Sequence, residues 1–155
     1  MKKIVLLGIM IMMSNLVVAD DQGLVSKKSQ HSVKVTLDRL ENVLKKKGIT
    51  IVTRWSHDEG AKNVGIPLRP TELLIFGNPK LGSHMFTSKQ TAGIDLPMKA
   101  LAWEDAKGQV WLTYNDPQYV ADRHGIEDRA EVVKKMTGAL DKMSDIATQA
   151  DAGKK

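Results

Sequence analysis

The sequence predicts an α+β fold, a two-layer sandwich of a mainly antiparallel sheet with helices packed on one face. Three observations carry this. Apolar residues recur every three or four positions over residues 33–47 and 127–147, as in helices with one buried side. Residues 98–115 alternate around Asp105-Ala106-Lys107-Gly108, and a hairpin forces antiparallel pairing. Between the helices stands Leu73-Leu74-Ile75-Phe76, a short apolar run closed by Gly77 that fits an interior strand.

In chain order, Met1-Lys2-Lys3 precedes an apolar run over residues 4–13 and then Val17-Val18-Ala19. A basic start, an apolar stretch too short to span a bilayer and small residues at its end predict a signal peptide cut after Ala19. The expected organisation is a leader over 1–19, a single domain over 20–150 and a flexible polar tail over 151–155. The expected location is periplasmic or secreted, with no stable membrane anchor once the leader is cut. Residues 20–30 are polar except for Leu24 and Val25, which fits an edge strand or an ordered arm.

Ser32 is placed to cap a helix whose buried side is Val33, Leu37, Leu40 and Leu44, with Gly48 as its stop. Residues 50–55 alternate as a strand, with Ile51, Thr53 and Trp55 on one side and Val52 and Arg54 on the other. A short helical turn is expected over 61–65, then extended chain before Pro67 and Pro70. Asn78-Pro79 reads as a strand-to-helix junction, Asn capping and Pro opening a helix that turns Leu81 and Met85 inward. Leu101 and Trp103 share one face of the hairpin, and Val110, Leu112 and Tyr114 share a face on its return strand. Asp116-Pro117 opens a segment that stops at Gly125. The last helix buries Val133, Met136, Leu140, Met143 and Ala147 and turns Glu131, Lys134, Asp141, Lys142 and Asp145 outward, with a frayed polar tail from Thr148.

Charge and cysteine content narrow the function classes. The formal charge of +5 falls to +3 (5 − 2) when Lys2 and Lys3 leave with the leader, a mildly basic surface and no case for nucleic acid. The absence of Cys excludes disulfides, thiol redox chemistry, Cys-based zinc sites and a lipoprotein anchor.

The run RPTELLIFGNPKLG over 69–82, followed by IDLPMKALAWEDAKGQVWLTYNDPQYVADRHG over 94–125, closely resembles the family known as domain of unknown function 302. With the helix before them and the Trp55-Ser56-His57 exit, the resemblance covers most of residues 30–147. It implies a two-layer sandwich, often a homodimer, with no agreed biochemical activity.

Four residues stand out as site candidates: His57, Asp95, Tyr114 and His124. His57 leaves a strand just ahead of Asp58-Glu59, so it could be a ligand or a base oriented by a carboxylate; the plainer reading is a loop His in solvent. His124, before Gly125, resembles a recurrent feature of exported members of the family. If it met His57 the pair could hold a metal or haem iron, whereas on its own it suits a helix C-terminus. Asp95, if buried, needs a partner such as Arg69, Lys80 or Lys99. Tyr114-Asn115-Asp116 could put a phenol at a pocket rim or simply form a turn.

Gly77-Asn78-Pro79-Lys80-Leu81-Gly82 lacks the spacing of a phosphate loop, and Pro79 removes a donor. Met85, Met98, Met136 and Met143 fit core stripes better than soft metal ligands. No GxSxG and no HExxH is present.

Two readings follow, with a third behind them. The first is a non-catalytic exported domain, dimeric, that takes a small apolar ligand, haem or a metal ion between sheet and helices, with Trp103 and Trp111 nearby. The second is a small enzyme using His57 or His124 as acid or base with Asp95 or Tyr114, which requires His57, Asp95 and Tyr114 to converge. The third is a purely structural dimeric interaction domain.

Overall fold

A computed structural model describes residues 17–19 and 22–151. The elements run β1 (Val17–Ala19), β2 (Leu24–Lys28), α1 (Val33–Lys46), β3 (Thr50–Ser56), α2 (His57–Asn63) and β4 (Thr71–Gly77). They continue with α3 (Pro79–Ser88), a 3₁₀ turn (Gln90–Ile94), β5 (Met98–Glu104), β6 (Val110–Asn115), α4 (Pro117–His124) and α5 (Ala130–Thr148). The sheet order is β1-β2-β6-β5-β4-β3 and every pairing is antiparallel. The fold is the α+β sandwich that the sequence predicts. Residues 1–16 of the expected leader lie outside the described residues, and its last three pair with β2 as β1.

Local chemistry sets the element boundaries. Ser32 accepts from Val35 N at 3.3 Å, Asn78 from Lys80 N at 3.0 Å and Asp116 from Gln118 N at 2.9 Å, each satisfying an orphan donor at a helix start. Gly125 ends α4 at φ 62°, a conformation that costs glycine nothing. At Gly77 a Cβ would stand 3.3 Å from the Pro97 ring, a tight contact that would press the Leu96-Pro97 step aside by a few tenths of an ångström.

The core lies between the sheet and the α1–α5 pair. Leu37, Leu40 and Leu44 of α1 and Val133, Met136, Leu140 and Met143 of α5 cover Leu74, Phe76, Met98, Ala100, Leu112 and Tyr114. Each such side chain contributes roughly 1.5–3 kcal/mol on burial, so two three- to five-turn helices outweigh their ordering cost only while both keep this apolar side inward. At the β3 edge, Arg54 binds both oxygens of Glu72 (2.6 and 2.8 Å) and reaches Asp38 of α1 at 2.6 Å.

Four expectations need correction. The β3 register shifts between Ile51 and Thr53, so Val52 is an extra residue. The bulge reverses the alternation: Ile51 packs on the core, while Thr53 and Trp55 are exposed on the other side. The helical turn expected over 61–65 begins earlier, because Ser56 accepts from Glu59 N at 3.1 Å and starts α2 at His57. The last helix begins at Ala130, after a turn in which Asp128 takes the Ser88 hydroxyl at 2.5 Å and Arg129 at 2.6 Å. Thr148 is fully buried rather than frayed, its carbonyl accepting from Gln30 N at 2.9 Å.

Candidate functional site

Asp95 and His124 meet. The Nε2 of His124 lies 2.6 Å from Asp95 Oδ2 and its Nδ1 3.0 Å from Thr91 Oγ1, with Arg123 Nη1 3.4 Å from Asp95 Oδ1. The His124 side chain is 8% exposed and that of Asp95 13%. With the carboxylate ionised, Nε2 carries the hydrogen, which leaves Nδ1 of the neutral ring to accept from the Thr91 hydroxyl. Hydroxyl, imidazole and carboxylate thus stand in the order of a proton relay, and both ring nitrogens are occupied. The physical effect is a tie between the end of α4 and the 3₁₀ turn. Lys99, one of the partners expected for Asp95, reaches its backbone carbonyl instead, at 3.1 Å.

Tyr114 and His57 sit elsewhere. Tyr114 is buried under α5 with Ser144 Oγ 3.5 Å from its hydroxyl. Burial pushes its phenol above the ordinary tyrosine range, outweighing the Ser144 contact and Lys27, so it stays protonated at neutral pH. His57 is the exposed first residue of α2, with no side-chain partner among the described residues. The neighbouring Asp58 is turned to the fold: it accepts from Ser56 Oγ at 2.8 Å and Thr71 N at 3.3 Å. Burial works to raise the Asp58 carboxyl, and those two donors outweigh it and hold it low. Among the described residues no group of three or more His, Asp or Glu is placed to hold a metal ion.

Among several surface depressions of the described residues, the one with almost wholly apolar walls reaching the core is a small slot between sheet, α3 and α5. It holds about 70 Å³ and is lined by Leu81, Leu96, Pro97, Met98, Met136, Leu140 and Met143, with Ile49, Phe76 and Ala139. Its one polar side chain is Asn78, whose oxygen caps α3. The local sequence explains the gap. Gly77, Gly82 and Ala139 contribute little bulk where β4, α3 and α5 converge, and three methionines, which adapt to irregular space, share the lining. The slot opens into a groove of about 500 Å³ that shares Ile49, Asn78, Leu81, Ala139 and Met143 with it.

The comparisons with known proteins decide the family. The model for "Domain of unknown function DUF302" matches residues 25–143. The chain belongs to this family. It is 48% identical over 115 residues to "Fluoride-specific ion channel FluC 1" of Brucella suis biovar 1 (strain 1330), a match spanning 74% of this chain and 45% of that protein. The equally similar FluC 1 of Brucella abortus biovar 1 (strain 9-941) is covered over 43% of its length. This chain therefore spans less than half the length of these curated relatives. Among the described residues no helix is long and apolar enough to cross a membrane. The crystal structure of an uncharacterized conserved DUF302 protein from Bacillus stearothermophilus superimposes with a TM-score of 0.73 at 18% identity, covering 81% of this chain and 98% of that one. At that identity the likeness establishes the shared DUF302 fold alone.

Within this DUF302 sandwich, three site features escaped the sequence reading. Thr91 carries no motif, and only the 3₁₀ turn brings it to His124. The slot comes from residues as far apart as Ile49 and Met143, joined by no pattern. Trp103 and Trp111 do not line it: they pair across strands on the outer sheet face, bonded through Nε1 to Thr113 (2.9 Å) and Asp105 (3.0 Å).

Proposed function

We propose that this DUF302 chain is a non-catalytic binding protein that holds a small, largely apolar molecule in the slot between its sheet and α5. The observation carrying this reading is the lining: a gap among Leu81, Leu96, Met98, Met136, Leu140 and Met143 with a single polar side chain at its edge. Apolar walls with one well-placed polar group are the usual make-up of a ligand pocket. Two observations weigh against the enzyme reading. Asp95 and Tyr114 have separate partners in separate places and His57 stands exposed apart from both, and the Thr91–His124–Asp95 relay lines neither slot nor groove. Haem or metal has less support than an organic ligand, since both nitrogens of His124 are engaged and the slot offers, besides Asn78, only the thioether sulfurs of Met98, Met136 and Met143. In keeping with its leader-like start, the protein would work outside the cytoplasm. The fluoride conduction named for the relatives belongs to proteins more than twice as long as the shared stretch, and it is not part of this reading.

A second reading accompanies the first: two copies pack through the outer sheet face. Trp55, 59% exposed, and the half-buried Leu73, Leu101, Trp103 and Trp111 leave that face apolar, on the side of the sheet away from α1 and α5. Native mass spectrometry of the purified protein tests both readings together. The expected spectrum shows a dimer and a retained organic mass that disappears when Ala139→Trp fills the slot. A ligand-free spectrum, with no uptake of 1-octanol on titration, would refute the binding reading, and a monomer at micromolar concentration would refute the second.

A further inference from the structure

The groove at the mouth of the slot is bordered by Lys47, Lys134, Lys135 and Lys142, and neither slot nor groove is lined by any carboxylate. None of the four has an ion-pair or side-chain hydrogen-bond partner among the described residues, whereas Lys27, Lys34 and Lys45 are all paired. Of the acids of α5, Asp141 and Asp145 are engaged with Lys27 on the β2 side of the helix, and Glu131 in its first turn makes no ion pair with these lysines among the described residues. Lys47 sits at the C-terminal cap of α1, bringing a fourth cation from a different element to the same opening. Four like charges around one opening raise its positive potential and favour an anion there. Gly138 stands on the same rim, and a Cβ there would meet nothing within 4 Å, so the groove is open beside the lysines. Asn78 lies where slot and groove join, and its amide nitrogen has no acceptor among the described residues.

We infer that the ligand is a single-chain anionic amphiphile, a free fatty carboxylate, lying tail-first in the slot with its head among the four lysines. This rests on the binding reading of the slot and adds the identity of the head group. At about 70 Å³ the slot is about half the size of the apolar cavity that takes up benzene, and so accepts only the terminal few carbons of an alkyl chain. A chain of about eight carbons then continues into the groove along Ile49, Leu81 and Ala139, with its carboxylate within reach of the flexible lysine stems. The lysines supply charge rather than a fixed fork, which suits a rotating carboxylate head more than a rigid bidentate one.

Calorimetric titration of the full-length protein with sodium octanoate and with 1-octanol separates the two layers of this account. The expected result is octanoate binding about tenfold more tightly than octanol at low salt, from several exposed charge contacts each worth little alone. In the variant Lys47→Gln/Lys134→Gln/Lys135→Gln/Lys142→Gln that advantage disappears while octanol binding is unchanged; the four side chains are surface groups, and an unchanged thermal melt confirms the fold. Equal binding of octanoate and octanol by the parent protein would overturn the anionic head group and leave the slot reading standing. Binding of neither would overturn both. Octanoate binding that survives the fourfold variant would place the head elsewhere and overturn the assignment. Sedimentation with anionic phosphatidylglycerol vesicles, without uptake of free octanoate, would make the lysines a membrane contact and overturn it as well.

Discussion

The two sides of α5 hold the same kind of charge in opposite circumstances. On the β2 side, Lys27 is 0% exposed, and its ammonium bonds Asp141 Oδ1 at 2.6 Å, Asp145 Oδ1 at 2.7 Å and the Asp141 carbonyl at 2.8 Å. On the other side, Lys134, Lys135 and Lys142 border an apolar opening with no ion-pair partner among the described residues. A lysine whose three hydrogens are all taken within the chain is part of the fold, since burial without those acceptors would cost several kcal/mol. Lysines left without partners beside an apolar gap have no such structural account. The difference separates what α5 does for stability from what it offers a ligand.

The comparison breaks most sharply at Lys27. Asp141→Asn with Asp145→Asn removes the counter-charge from a buried ammonium and should cost about 3 kcal/mol in urea unfolding, the low end for an uncompensated buried charge because the carboxylates are partly exposed. Lys27→Met, which removes the charge with the partners left in partial solvent, should cost clearly less. The pH dependence follows from the direction of the Lys27 shift. Burial works to lower its pKa, the bonds to Asp141 and Asp145 outweigh it, and the net change is upward. A raised folded pKa contributes stability that is fully present below the unfolded lysine value and is lost as pH rises through the folded one. Urea melts between about pH 9 and pH 12 should therefore show, in the parent, an alkaline loss that begins near the unfolded lysine value of about 10.4 and is smaller in Lys27→Met. The buried Tyr114 phenol, also shifted up, contributes in the same window in both proteins.

Next in size is the Asp95–His124 tie. His124→Ala leaves Asp95 to Arg123 alone and should cost about 1–2 kcal/mol, with ligand uptake in the slot unchanged. A loss of uptake at unchanged stability would instead make this cluster part of the site. Smaller still is Gly138→Ala, which removes a helix-interior glycine where a Cβ meets nothing and should raise stability by about 0.5–1 kcal/mol. The smallest effect belongs to the groove itself. Lys134→Gln, Lys135→Gln and Lys142→Gln together should shift stability by less than about 0.5 kcal/mol, against the large effect on the Lys27 side.

What was legible in the sequence was local. The caps at Ser32 and Asn78, the 105–108 turn and the buried stripes of α1 and α5 are written within one or two turns of chain, and the fold follows from them. The β3 alternation failed because a single extra residue, Val52, reverses the facing of everything before it, and no residue type announces a bulge. Lys27 looked like one polar residue in a polar arm, since its acceptors stand 114 and 118 positions away. The site was less legible for the same reason. Asp95 and His124 could be singled out as chemistry-bearing residues, but their pairing depends on how α4 returns to the 3₁₀ turn. Lys134 and Lys142 read as a solvated helix face; only the arrival of Lys47 and Asn78 makes them the rim of an opening.

The account turns on whether a molecule enters the slot, and the methionines report that directly. Met98, Met136 and Met143 line it, while Met85 is buried in the same core without lining it. In a ¹³C-methyl methionine spectrum, titration with octanoate should shift the methyls of Met98, Met136 and Met143 together, saturably, and leave Met85 in place. Four unmoved methyls, or shifts of equal size at all four, would contradict it.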